Sequence, residues 1–186
     1  MRAYTSCRRV LEESSVDLYW QIMEIVHLSA FDIDAYRALR DEGLTGDPEA
    51  FRYTVLDDAR IEVQTWRDRL ERDFVIAARH EGRWLGTGGL TRVFGEKLDH
   101  KGLVWGMYVR PESRGHGVAD AVMAALIEHG QGRFRLLQLT VMADNGRARA
   151  FYERHGFRVY GIEPQAVRQG SEFRDEAFMW LPLEVD

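Results

Sequence analysis

Leu103-Val-Trp-Gly-Met-Tyr-Val109, an apolar run typical of a buried strand, is followed by the tight loop Arg114-Gly-His-Gly-Val-Ala119 and a helical pattern to about His129. A second apolar run at residues 134–142 predicts another strand. Strand, helix and strand with a crossover of this length form a βαβ unit, so we expect the two strands to run parallel. The loop lies where the first strand gives way to the helix.

This loop has the chemistry of an anion-binding site. The start of a helix presents unpaired N–H groups and the positive end of the helix dipole. Gly115 and Gly117 let the backbone approach a ligand more closely than larger residues would allow. The expected ligand is a pyrophosphate. Taken alone, the pattern Arg114-x-x-Gly117-x-Ala119 is equally typical of an ordinary strand-to-helix turn.

A second motif narrows the choice. Asn145-x-x-Ala148-x-x-Phe151-Tyr152 opens a short helix that ends at His155-Gly156-Phe157. Together with residues 109–119, this motif closely resembles the GNAT superfamily of N-acetyltransferases, and the resemblance extends over residues 25–183. It implies an α/β (α+β) fold: one mixed sheet of about six or seven strands with a splayed parallel pair, flanked by about four helices. It also implies acetyl-CoA as a co-substrate.

The resemblance also suggests which residues contact the cofactor. The exposed backbone of the strand at residues 103–109 would pair with pantetheine and polarise the thioester carbonyl. The loop at residues 114–119 would bind the pyrophosphate. The residues so implicated are Met107, Tyr108, Val109, Arg114, Gly115, His116, Gly117, Val118, Ala119, Asn145 and Ala148. Arg114 could equally be a solvated surface residue. Asn145 is also a residue type that commonly caps the start of a helix, and it can cap the helix and contact the cofactor at the same time.

Tyr152 occupies the position where the family has its general acid. A phenol of ordinary pKa, near 10, is protonated at neutral pH and can give a proton to a thiolate. The alternative is a half-buried tyrosine that only packs. Phe151 and Phe157 are interpreted as packing residues.

The general base is less clear. Several relatives that acetylate amino-terminal peptides carry a glutamate on the fifth strand, where this chain has Thr140. Threonine cannot serve as a base at neutral pH. We therefore expect the amine proton to leave through Glu163, through Asp175 or to water. Glu163 is preferred because it ends the strand that follows the Tyr152 helix.

The rest of the chain is read from periodicity and turn residues. Gly86-Thr-Gly-Gly89 is not a P-loop, since no Gly-Lys-Ser/Thr follows, and it predicts a bulge or a close approach by another backbone. We predict strands at residues 24–31, 74–79, 84–93, 157–162 and 177–185, with helices from Asp32 or Asp34 to near Gly43 and at 58–71, and a loop at 164–175.

Composition limits the function classes. The 186 residues, 45% of them hydrophobic, are enough for one domain at residues 23–186. Residues 1–22 either form an added amphipathic helix or precede a natural start at Met23. A net charge of −5 argues against nucleic-acid binding, no apolar run is long enough for a membrane span, and a single cysteine, Cys7, fits a reducing cytoplasm. The six histidines lack metal-site spacing, so no metal is expected.

The resemblance favours an enzyme that moves an acetyl group from acetyl-CoA to a primary amine, of a small molecule or a peptide, in a ternary complex. The alternative function is a non-catalytic acyl-CoA-binding sensor or assembly domain, which would have no need of Tyr152. The acceptor, the acyl-chain length and the oligomeric state, including a homodimer, are left open by the sequence.

Overall fold

The computed structural model describes residues 23–184, and the predicted extension at residues 1–22 and Cys7 lie outside them. One seven-stranded sheet has the order β1-β2-β3-β4-β5-β7-β6. The strands are β1 (Glu24–His27), β2 (Phe74–His80), β3 (Arg83–Arg92), β4 (Lys101–Val109), β5 (Leu136–Met142), β6 (Arg158–Gln169) and β7 (Glu172–Pro182). The helices are α1 (Ile33–Gly46), α2 (Val55–Ala59), α3 (Val63–Arg72), α4 (Val118–Gly130) and α5 (Gly146–Arg154).

The predicted mixed sheet with a splayed parallel pair is confirmed. β4 and β5 are parallel, but they pair only where residues 101–103 face residues 136–138. Beyond Leu103 the strands part, while β5 remains paired along its whole length with antiparallel β7 on its other edge. A cleft therefore opens between the carboxyl ends of β4 and β5, where the loop after β4 begins.

Helices cover the two faces of the sheet. On one face α4 buries Val118, Val122 and Leu126 in the main core. On the other face, Tyr36 of α1 and both Trp66 and Leu70 of α3 belong to a second buried cluster. Within residues 23–184, no helix is both long and apolar enough to cross a membrane.

The first strand is shorter than predicted. It ends at His27 rather than at residue 31, and a 3₁₀ turn follows at Ala30–Asp32. The cause is a capping box, in which the Ser29 backbone N–H and hydroxyl both donate to Asp32 Oδ2 at 2.9 Å. Phe31 consequently points outwards and is 97% exposed.

The single helix predicted at residues 58–71 is wrong, because two helices occupy this region. Thr54 caps the start of α2, and its hydroxyl accepts a hydrogen bond from the Asp57 N–H at 3.2 Å. Glu62, with an extended ψ of 142°, separates it from α3. Asp58 and Trp66 can therefore both be buried, although they lie on separate helices.

The loop predicted at residues 164–175 is also wrong, because β6 and β7 form one long hairpin through it. Pro164 is accommodated because β6 is an edge strand and its register shifts between Glu163 and Val167. Asp175 stabilises that bulge, since its Oδ1 accepts a hydrogen bond from the Gln165 N–H at 2.8 Å. The partner of the bulge is ten residues away, so the local sequence gives no sign of it.

A buried ion pair connects α1 to α2. The Arg40 guanidinium donates two hydrogen bonds to the Asp58 carboxylate, and the two side chains are only 10% and 6% exposed. Arg40 also lies 5.1 Å from the ring centroid of Trp66. Removing one charge would leave the other buried and unpaired, which is expensive.

We therefore predict that Asp58→Ala lowers the free energy of unfolding by about 3–5 kcal/mol, measured by urea denaturation. The control is Glu24→Ala, which breaks the exposed Arg79–Glu24 pair and should cost less than about 1 kcal/mol. Equal losses in the two variants would contradict the assignment of Arg40–Asp58 as a buried pair.

Candidate active site

A cavity of about 470 Å³ lies at the splay between β4 and β5. Its walls come from the carboxyl end of β4, the loop before α4, the start of α5 and the segment after α1. We call residues 47–52 the strap, because this segment crosses from α1 towards the β6–β7 hairpin. Asp47, Ala50 and Phe51 of the strap line the cavity.

The loop before α4 presents backbone to this cavity. After a 3₁₀ turn at Pro111–Ser113, the chain reaches α4 through Gly117, which has a φ of 77° and occupies the N-cap. A residue with a Cβ is disfavoured at this φ. The first N–H groups of α4 have no partner within the helix, so they are available to an anion in the cavity.

Arg114 is committed to the protein itself. Its Nε donates to the Val109 carbonyl at 3.0 Å, and its Nη2 forms an ion pair with Asp47 of the strap. The guanidinium therefore fixes the loop to the end of β4 and to the strap. Its side chain is 29% exposed, so it is neither a solvated surface residue nor a free cation.

A bulge shapes the end of β4. Gly89 pairs with Trp105 and Thr87 with Tyr108, so two β4 residues, Gly106 and Met107, lie opposite Gly88. Gly106 has a φ of 65°, which favours glycine. This confirms the bulge and the close strand approach predicted from Gly86-Thr-Gly-Gly89. A Cβ on Gly86 would lie 2.7 Å from the Tyr108 carbonyl oxygen.

Tyr108 closes one side of the cavity. Its ring packs against Gly43 of α1, where a Cβ would come within 2.9 Å of the ring. Its hydroxyl donates to Glu42 Oε1 at 3.0 Å, and Arg110 also bonds to Glu42. Burial, together with the hydrogen bond to Glu42, raises the pKa of Tyr108 to about 12. The phenol is therefore a fixed wall, protonated at neutral pH.

Tyr152 lines the cavity from α5, opposite the β4 end. Asn145 caps this helix, with its Oδ1 accepting from the Ala148 N–H at 3.0 Å, and Gly156 ends it with a φ of 89°. Burial alone raises the pKa of Tyr152 to about 12. The tyrosine is therefore protonated at neutral pH, and it lines the same cavity as the loop and the end of β4.

Comparison with known proteins agrees with this geometry. The model of the acetyltransferase (GNAT) family matches residues 35–157, which is most of the chain. The chain belongs to the GNAT acetyltransferase family. The comparison with curated proteins gives no significant match.

Solved structures share the fold of this GNAT domain. A ribosomal-protein-alanine N-acetyltransferase from Brucella melitensis has 21% identity and a TM-score of 0.74, covering 86% of this chain and 99% of its own. A putative acetyltransferase from Salmonella typhimurium, yncA, solved with acetyl-CoA, has 16% identity and a TM-score of 0.76, covering 88% and 95%. A GNAT-family acetyltransferase from Streptococcus pneumoniae has 21% identity and a TM-score of 0.74, and the match covers 87% of this chain and 99% of that protein. At these identities the likeness concerns the fold alone.

Most of the residues predicted to contact the cofactor surround the cavity of this GNAT domain. Those that line it are Met107, Tyr108, Val109, Arg114, Gly115, Gly117, Val118, Ala119, Asn145, Ala148 and Tyr152. His116, from the same loop, does not line it. Glu163 and Asp175 do not line it either: Glu163 is exposed on β6, and the Asp175 carboxylate accepts the bulge hydrogen bond described above.

Several cavity residues were not predicted. Arg147 and Asp120 line the cavity from the first turns of α5 and α4, and Ser113 lies beneath the loop. Arg147 is inside the Asn145-x-x-Ala148 motif, so its place next to the helix start could have suggested it. Within residues 23–184, no group of three or more potential metal ligands is present.

At Gly86, β3 approaches the end of β4 that lines the cavity so closely that a side chain would not fit. Gly86→Ala would press a methyl group against the backbone of Tyr108 and Val109, so we expect it to lower the free energy of unfolding by about 1–3 kcal/mol in urea. Gly46→Ala is the control, because a Cβ there meets nothing within 4 Å. That variant should be neutral or slightly stabilising, and a comparable loss in it would refute the steric explanation.

Proposed function

We propose that this chain transfers an acetyl group from acetyl-CoA to the nitrogen of a primary amine, with both substrates bound at once. One observation carries the proposal: a single cavity combines a helix-start loop, the bulged end of β4 and a protonated tyrosine. The loop could bind the pyrophosphate of acetyl-CoA, and the end of β4 could pair with its extended pantetheine arm. The tyrosine could protonate the leaving thiolate. Membership of the GNAT family supports the same reaction class.

The residues of the cavity fit acetyl-CoA. Both Gly115 and Gly117 line the cavity and have open space where a Cβ would be. The N–H groups at the start of α4 would bind the pyrophosphate, and the backbone of Met107 and Val109 would pair with the pantetheine arm. The acetyl group arrives activated as a thioester. Arg114, already paired with Asp47, would hold the loop in shape rather than act as the main phosphate contact.

Tyr152 would supply the proton that the departing sulfur requires. Its raised pKa, about 12, keeps the proton on the hydroxyl throughout the neutral range. Because the protonated phenol is the active form, its contribution is lost only when the pH approaches 12. The amine must first lose a proton, since an alkyl ammonium with a pKa near 10.4 is almost fully charged at pH 7. Neither Glu163 nor Asp175 lines the cavity. If one of them accepts the amine proton, as predicted, the proton would have to reach it through ordered water.

The reaction is tested by measuring CoA release from acetyl-CoA with a panel of primary amines.

For the cofactor site, we predict that acetyl-CoA at a hundred times its dissociation constant stabilises the wild type by about 2.7 kcal/mol, and that Gly117→Glu abolishes this stabilisation. The added carboxylate would repel the pyrophosphate. Gly82→Glu is the control, because Gly82 has the same φ of 77° and the same open space but belongs to the β2–β3 turn. An unchanged thermal shift in Gly117→Glu would move the cofactor site elsewhere.

Tyr152→Phe keeps the ring and removes the proton donor, so we expect turnover to fall about 10²-fold with little change in acetyl-CoA affinity. The control is Tyr160→Phe, since Tyr160 is 57% exposed on β6 and does not line the cavity. If Tyr152→Phe turns over as fast as the wild type, the sulfur receives its proton from another source.

A further inference from the structure

A buried carboxylate lies next to the cavity and has no part in the chemistry described so far. Glu176 of β7 is 2% exposed, although a carboxylate is rarely buried without strong compensation. Within residues 23–184, Arg52 of the strap is its only hydrogen-bond partner, with Nε 3.3 Å from Oε1 and Nη2 bonded to Oε2. The group that compensates this charge is therefore a single cation from a neighbouring segment.

The strand register puts Glu176 beside Thr140. Thr140 pairs with Phe178, and Met142 pairs with Glu176, with no shift between these pairs. Because side chains alternate along a strand, Thr140 and Glu176 point to the same face of the sheet, as diagonal neighbours roughly 7–8 Å apart. Thr140 lines the cavity. Glu176 thus offers a carboxylate one strand away from the position where Thr140 has none.

Glu176 has a second carboxylate as its neighbour. Glu163 pairs directly with Glu176 across β6 and β7, so the two carboxylates share one face. Like charges in this arrangement repel. Arg52 balances only one of them, and its own side chain is 44% exposed.

The strap does not depend on Arg52 alone for its position. Asp47 is paired with Arg114, and Glu49 lies 3.8 Å from Arg174 of the hairpin. Arg52 itself lies between the 3₁₀ turn at Pro48–Ala50 and α2, outside any helix or strand. The contacts of Asp47 and Glu49 would therefore remain if the guanidinium moved away from Glu176.

We propose that Glu176 is the acceptor-binding residue, whose carboxylate binds the ammonium group of the amine in exchange for the Arg52 guanidinium. The inference rests on the proposed amine acetylation and specifies its substrate class. The preferred acceptors are alkylamines that are cationic at neutral pH, rather than arylamines that are neutral there. Arg52 occupies the site as a cation of the protein's own, which shows that a charged N–H donor fits the carboxylate.

The test compares initial rates with benzylamine, a cation at pH 7, and with aniline, its neutral analogue, at saturating acetyl-CoA. Glu176→Gln should raise the KM for benzylamine about 10- to 100-fold, the range for losing a hydrogen bond to a charged group. The KM for aniline and the affinity for acetyl-CoA should hardly change. Glu176→Asp, which keeps the charge, should recover part of the benzylamine loss.

Arg52→Gln separates recognition from simple anchoring of the strap. Both Glu176→Gln and Arg52→Gln break the ion pair, so both should lower the melting temperature. Only in our proposal do their effects on the KM for benzylamine differ, because Arg52→Gln removes the competing cation and should leave that KM unchanged or lower. Glu49→Gln, which breaks a second ion pair between strap and hairpin, is the matched control and should not alter the preference for benzylamine over aniline.

Three results would overturn the inference. Equal rises in KM for Glu176→Gln and Arg52→Gln would make the pair a structural anchor. A rise for Glu163→Gln in place of Glu176→Gln would assign recognition to the exposed carboxylate instead. An unchanged KM in Glu176→Gln would exclude it directly. Failure of the proposed function is distinguishable, since the wild type itself would then release no CoA with any amine.

Discussion

The candidate site depends on where the pairing between two parallel strands stops. β4 and β5 share only three residue pairs and then diverge. Backbone groups cannot be left buried without partners, so each strand must find another use for its N–H and C=O groups. β4 stays paired with β3 and β5 with β7 on their outer edges, so the groups that lose a strand partner are those on the two inner edges beyond the splay. In the proposed complex with acetyl-CoA, the extended, amide-containing arm would pair with the β4 edge.

The same divergence explains which parts of the fold were predictable. The Gly115–Gly117 loop, the Asn145 cap and the position of Tyr152 are local patterns, and each of them is found where its pattern indicated. The paired helices α2 and α3 and the β6–β7 hairpin were not predicted correctly. They depend on Arg40 reaching Asp58 and on Asp175 reaching Gln165, contacts that span 18 and 10 residues. Nothing in the neighbouring sequence identifies such partners.

The site was predictable to a similar degree. The loop and the β4 end were implicated by motif, whereas no motif implicated the strap. In the structure, acidic residues of α1 and of the strap have distant partners: Asp47 bonds to Arg114 across 67 residues, and Glu42 accepts hydrogen bonds from both Tyr108 and Arg110. An anion in the cavity would compete with Asp47 for Arg114. In the proposed complex, the N–H groups at the start of α4, which have no acceptor within the helix, would be the more direct contacts for a pyrophosphate.

Charge in and around the cavity follows a consistent arrangement. The two acidic residues that line it, Asp47 and Asp120, are both paired with arginines. Negative charge that develops on an oxygen or a sulfur near Tyr152 therefore meets no uncompensated carboxylate in the lining. The excess negative charge lies one step away, at Glu163 and Glu176 on the neighbouring strands. Such a separation would attract a cationic amine along the sheet face while leaving the reacting centre suited to an anion, which a glutamate in place of Thr140 would not do.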